Sequence, residues 1–178
     1  MCKLILGRDT RKKSKNTLQI NYGPNANRNY VSTHTVGILN RIAKEANVNS
    51  LTITSTLRSP EDQVRAMYNN LQRQGVKRQK QLYGSAGDQV IDLYAKAKLK
   101  GLSADEIKAK MLEKIMGIGP SKVSKHCGDP NVLNVIDIAP STIVNKRSFI
   151  NAVSGSQEVS KFLQPPTDPA YHLEIPQQ

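Results

Sequence analysis

Apolar positions recur along this chain with two different periods, and the changes of period mark out its elements. Val36, Leu39, Ile42 and Ala43 recur at helical spacing, with Thr33 or Thr35 placed to cap them, so a helix is expected over 33–47. Leu51-Thr-Ile-Thr-Ser55 then alternates with period two, the pattern of a half-buried strand. Ser59-Pro60-Glu61-Asp62 reads as a helix start: a capping serine, a proline at the first helical position, and two acids at the positive end of the helix dipole. That helix is expected to run to about Arg73. Further helices are expected over 86–99 and from the capping box Ser103-Ala-Asp-Glu106 to about Met116, where Gly117, Gly119 and Pro120 end it. Val132 to Ile138 is strand-like and stops at Pro140, 145–153 reads as a short helix, and Tyr171 to Ile175 as a last strand.

The order of these elements points to an α+β fold, a small mainly antiparallel sheet with flanking helices. Residues 1–30 read as a basic arm and loop with at most a short strand, and 31–178 as one domain. The stretch at about 76–120 reads as a helical insertion that gates a cleft, binds a partner or only packs. No internal repeat is visible.

Composition narrows the function classes. The 178 residues carry 26 Lys and Arg against 14 Asp and Glu, a net charge of +12. Anionic partners are therefore favoured, whether nucleic acid, lipid head groups or wall polymers. No apolar run approaches the roughly 20 residues of a membrane span. The apolar stretch near Met1 is too short for a secretory signal, so synthesis in the cytoplasm is expected. With no Trp, 2 Phe and 6 Tyr, the core is aliphatic and a broad base-stacking platform is disfavoured. Cys2 and Cys127 do not make a disulfide framework.

The chain has three histidines. His34 falls in the first turn of a helix and reads as a surface or capping residue. His126 lies in a break between helix and strand. Asp137 places a carboxylate inside an apolar strand, where it needs a counter-charge, a metal or good hydrogen bonds. His172 is likewise a polar residue inside an apolar strand, with Glu174 on its face and Tyr171 on the other. Two imidazoles and a carboxylate suit an open three-ligand zinc site with water in the fourth position. Arg58 ends a strand just before a well-capped helix, where its charge opposes the dipole; such a local conflict points to function.

These residues fall in three blocks: Ser55-Thr-Leu-Arg58-Ser-Pro-Glu-Asp-Gln63, then Ser124-Lys-His126-Cys-Gly128 running to Asp137-Ile-Ala-Pro140, then Tyr171-His172-Leu-Glu174. In that order they resemble the zinc peptidases that cut D-Ala-D-Ala and related bonds in bacterial cell walls, the Hedgehog/D,D-peptidase fold group. The resemblance spans 55 to 174, and the stretch 76–120 has no counterpart in it. It implies a zinc peptidase of carboxypeptidase or endopeptidase type acting on the peptide part of peptidoglycan, as a lysin or an injected antibacterial effector. It implies one zinc ion held by His126, Asp137 and His172, and a substrate group fixed by Arg58, with Gln63 as a further substrate contact or a support for Arg58 or the strand edge, and Ser124 as a contact to substrate or to a metal ligand. The general base is expected at Asp168, one residue further from His172 than is usual in the family, or at Glu174. Cys127 is expected to pack rather than bind metal. His126 and Asp137 are further apart in sequence than in the family, so the turn around Asp129-Pro-Asn-Val must loop out to keep both ligands in place. An immunity protein or delivery machinery is the protein partner such a role implies, with action on the wall or periplasm after lysis or delivery.

Two alternatives stand beside this. Met116-Gly117-Ile-Gly119-Pro120-Ser-Lys122-Val resembles the hairpin of a helix–hairpin–helix motif, which presents backbone N–H groups to nucleic-acid phosphate. The other is an inactive relative of the peptidases that binds wall fragments.

Overall fold

The computed structural model of the chain describes residues 18–178. The basic run Arg11 to Lys15 and Cys2 lie outside the described residues. The elements are β1 (Gln19–Tyr22), α1 (Thr33–Ala46), β2 (Ser50–Ser55), α2 (Pro60–Gln79), α3 (Ser85–Leu99), α4 (Ala104–Ile118), α5 (Pro120–Val123), β3 (Leu133–Ile138), α6 (Lys146–Gly155), β4 (Lys161–Leu163) and β5 (Tyr171–Pro176). The fold is α+β. Among the described residues its five strands form one mixed sheet in the order β1-β2-β3-β5-β4, with β1 parallel to β2 and every other pair antiparallel. No helix among them is long and apolar enough to cross a membrane.

The expected elements form within a few residues of their expected ends. The differences have local causes. Ser32, rather than Thr33 or Thr35, caps α1 by accepting from the Thr35 N–H at 3.0 Å. The short strand allowed for within residues 1–30 is β1, which extends the sheet edge beside β2. The strand β4 is only three residues long and carries no alternation long enough to read. The first helical run of α2 ends just past Arg73, as expected, because Gly75 is non-helical at φ 81° and ψ 166°; a second short run beyond this kink reaches Gln79.

Two apolar cores result. Period-two alternation sends Leu51 and Ile53 of β2, Ile136 and Ile138 of β3, and Tyr171, Leu173 and Ile175 of β5 to one face of the sheet. There they bury against Ile38, Leu39 and Ile42 of α1 and Phe149 and Val153 of α6. The same alternation sends Asp137, His172 and Glu174 to the other face. A second cluster joins Val64, Met67 and Leu71 of α2, Val90, Ile91 and Tyr94 of α3, Met111 and Ile115 of α4, and Val123 of α5. The helical unit with its own core therefore begins at α2 and ends at α5, wider on both sides than the expected 76–120. The polar face of the sheet looks toward it.

Gly75 occupies a backbone region that is open essentially to glycine alone, at a cost of about 1–3 kcal/mol for another residue. A Cβ there would meet no atom within 4 Å, so the cost is purely conformational. Gly75→Ala should lower unfolding stability by about 1–3 kcal/mol in urea titration. An unchanged or raised midpoint would show that the bend is not held in solution.

Candidate metal centre

The centre begins with the register of β3 on β5. Asp137 pairs directly with His172, and their side chains leave the sheet on the same face. His172 Nδ1 lies 2.9 Å from Asp137 Oδ1. The pairing of β2 with β3 shifts between Ile53 and Ser55, a bulge that sets Ser55 opposite Asp137 and turns the following residues over the site. Arg58 then donates from Nε to Ser55 Oγ at 2.9 Å, from Nη1 to Gln63 Oε1 at 3.1 Å and from Nη2 to Asp137 Oδ2 at 2.9 Å.

His126 arrives from a short 3-10 turn, Lys125–Cys127, directly after the one-turn helix α5. The residues after the bulge clamp it twice. The Arg58 N–H donates to the His126 carbonyl at 2.8 Å, and His126 Nδ1 lies 2.7 Å from the Thr56 carbonyl. A carbonyl only accepts, so Nδ1 carries a proton and Nε2 is the nitrogen turned toward Asp137. That Nε2 is buried, makes no hydrogen bond, and stands 3.1 Å from Asp137 Oδ2. With a proton on it, Nε2 pairs with that oxygen as an imidazolium; without one, two lone pairs face each other at that distance and a cation between them relieves the repulsion.

The residues between His126 and Asp137 loop out around Asp129. Asp129 opens a tight turn by accepting from the backbone of Asn131, Val132 and Leu133. Buried Asn134 then pins it, donating to the Pro130 carbonyl at 2.7 Å. Potential ligand atoms of His126, Asp137 and His172 thereby fall within 4.8 Å of one another. The group could hold a metal ion.

The donor set fits a metal in its surroundings as well. A metal-binding imidazole commonly donates its other N–H to an oxygen that fixes the ring. His126 does so to Thr56. His172 has Nε2 3.4 Å from Glu174 Oε1, leaving Nδ1 aimed at Asp137. Cys127 stays outside the group; burial pushes its thiol up to about 11, as for an inert packing residue.

The protonation states are set by the same contacts. Burial would raise the Asp137 carboxyl, but His126, His172 and Arg58 outweigh it and hold it well below the usual range. Burial would likewise discharge His172, yet its hydrogen bonds to Asp137 and Glu174 raise it to about 9. Glu174 is lowered, chiefly by His172, with Lys161 Nζ at 3.6 Å contributing. Asp168 goes the other way: burial pushes it up, and the charge of Asp137 adds to that.

A cleft of about 310 Å³ opens on this face, lined by Arg58, His126, Asp137, His172, Glu174, Asp168 and Ser124 together with residues of the helical unit. A larger hollow of about 520 Å³ touches Arg58 and Asp137 from the other side but includes neither histidine. The structure brings the expected residues together and shows what two of them touch. Gln63 is fully buried, away from the cleft, and supports Arg58 instead of facing a ligand. Arg58 already donates from all three guanidinium nitrogens to the protein, so its first task is to hold Asp137. His34 takes no part in the metal-ligand group.

Two residues escaped the sequence reading. Tyr83 lines the cleft, and its oxygen accepts from Gln63 Nε2 at 2.9 Å. Arg78 donates to the Thr167 carbonyl at 2.8 Å and to that of Pro166, tying the helical unit to the loop that carries Asp168. Neither sits in a motif of the sequence, although Tyr83 and Val76 pack against the helical unit's core. The glycine turn at Gly117–Gly119 is followed by the single turn α5 rather than by a long second helix, and Lys122 and Lys125 after it line the cleft.

No protein-family model, curated protein or solved structure matches the chain.

Metal binding should release the His172 proton. Because that imidazole stays charged up to about 9, metal affinity should rise about tenfold per unit between about pH 7 and 9 and level off above. The same proton makes a stability term in metal-free protein that is complete below the ordinary imidazole value of 6.5 and lost as pH rises through about 9. Calorimetric metal titration across this range checks the first; a pH-independent affinity would count against Nδ1 of His172 as a ligand.

Proposed function

We propose that the protein is a zinc-dependent peptidase of Hedgehog/D,D-peptidase type, acting on the peptide part of bacterial peptidoglycan. The observation that carries this reading is the buried, unpaired Nε2 of His126 facing the Asp137 carboxylate, with His172 Nδ1 on its other oxygen. Two imidazoles and one carboxylate are the donor set of an open zinc site, in which protein groups leave room for water and substrate. The order of the three sequence blocks supplies the substrate class.

When bound, zinc would polarise the scissile carbonyl and acidify a water molecule. The protein's own groups divide the remaining work. Arg58 and the two histidines keep Asp137 ionised. Thr56 and Glu174 fix the tautomers and ring positions of His126 and His172. Asp168 is the general base: it takes the proton of the attacking water and returns it to the leaving amine. Its environment suits that work better than that of Glu174. Asp168 accepts one hydrogen bond, from the Ala170 N–H at 2.9 Å, and has no cation within ion-pair distance among the described residues. Its raised pKa brings it closer to the working pH. Glu174 is committed to His172 and Lys161 and is held as an anion. The exposed Lys122 and Lys125 give the cleft a cationic rim that favours peptides bearing carboxylates.

Elemental mass spectrometry of tag-free protein should find about one zinc per chain, lost in His172→Ala. Asp168→Asn should keep its zinc and lose about 10²–10⁴-fold in release of peptide fragments from purified peptidoglycan, followed by mass spectrometry. Glu174→Gln should instead weaken zinc binding by about 10–100-fold. Wild-type protein that takes up no zinc would refute the peptidase reading.

A further inference from the structure

One hydroxyl in the cleft has no role in the reaction just described. Tyr83 lies between α2 and α3 and lines the same cleft as His126, Asp137, Asp168 and His172. Its hydrogen bonding is dictated by a chain of one-way contacts. The Asp137 carboxylate accepts from Arg58 Nη2 at 2.9 Å. A guanidinium only donates, so Arg58 Nη1, 3.1 Å away, must meet the oxygen of the Gln63 amide. The amide nitrogen is thereby turned toward Tyr83, 2.9 Å from its oxygen. Gln63 is fully buried and has no room to choose otherwise. The phenol oxygen therefore accepts from Gln63, and its own proton is left to donate. Among the described residues nothing takes that proton: the bond from Gln63 is the one the hydroxyl makes.

The ring is also seated on purpose-fitted backbone. A Cβ at Gly87 would lie 2.6 Å from Cβ and Cδ1 of Tyr83, so only glycine at 87 admits the ring where it stands. The bend at Gly75 redirects the segment that ends in Tyr83. Burial raises the phenol above its ordinary pKa, so the proton is present throughout the neutral range.

We propose that the Tyr83 hydroxyl is a catalytic hydrogen-bond donor, serving the oxyanion that develops on the scissile carbonyl as water attacks it. Tyr83 keeps its proton throughout; it forms and breaks no bond to a heavy atom. This rests on the peptidase reading and adds to it the donor at the free end of the Asp137–Arg58–Gln63 chain. A fixed donor of this kind acts on the transition state more than on the bound substrate.

Tyr83→Phe leaves the ring in its seat and removes only the hydroxyl. Four quantities separate the outcomes: zinc per chain, kcat, KM, and affinity for a phosphinate analogue of the peptide that the wild type cleaves. Expected are unchanged zinc, KM within about threefold, kcat lower by about 10²–10³-fold, and phosphinate affinity lower by a similar factor. Gly87→Ala, which keeps the hydroxyl but fills its seat, should show the same pattern in protein that still melts cooperatively. Wild-type phosphinate affinity in Tyr83→Phe would overturn the proposal. So would a fall in zinc content that accounts for the lost rate, because Tyr83 would then act only by bracing Gln63 and Arg58. A wild type that binds no zinc and cuts no peptide would instead overturn the peptidase reading beneath it.

Discussion

A carboxylate set into the buried side of a sheet has to be neutralised, and the arrangement around Asp137 meets that constraint from three directions. Arg58 comes from the turn after β2, His126 from the turn after α5, and His172 from the strand paired with β3. An unpaired buried charge costs several kcal/mol, so each of these segments is held to the others through one side chain. The sheet and the helical unit have separate apolar cores, and the polar layer between them is organised around this single anion.

That layer is ordered because its contacts have direction. Carbonyl and carboxylate oxygens accept, and guanidinium groups donate. From Asp137 outward the sense of each hydrogen bond is therefore fixed through Arg58 and Gln63 to Tyr83. The same logic fixes His126, whose Nδ1 is occupied by Thr56 and whose Nε2 is thereby turned on Asp137. A site built in this way is positioned before any ligand arrives, which is the condition for precise metal binding and for electrostatic catalysis.

Two further carboxylates show how surroundings divide roles. Glu174 sits on β5 between His172 and Lys161 and is stabilised as an anion. Asp168 sits on the loop before β5, half-buried and without a cationic partner, and its carboxyl is raised. In the proposed reaction, environments that push two acids apart in this way leave one to hold a ligand ring and the other to move a proton. The Arg78 contacts to the Asp168 loop make the position of that acid depend on the helical unit.

Much of this was legible in the linear pattern. Period-two alternation in Val132–Ile138 and Tyr171–Ile175 was enough to set Asp137 apart from Ile136 and Ile138, and to place His172 and Glu174 on one face with Tyr171 on the other. Ser59-Pro60-Glu61-Asp62 and Ser103 to Glu106 marked helix starts, because capping is a matter of neighbouring residues. These are local effects, carried by residues a few positions apart. What only the tertiary structure decided depends on distant segments meeting: the β-bulge that aims Arg58 at Asp137 instead of at solvent, the turn that brings His126 to Asp137, the burial that separates Asp168 from Glu174, and the seat at Gly87 that makes Tyr83 part of the cleft. Burial and hydrogen-bond direction are properties of neighbours in space, and a sequence names the neighbours only along the chain.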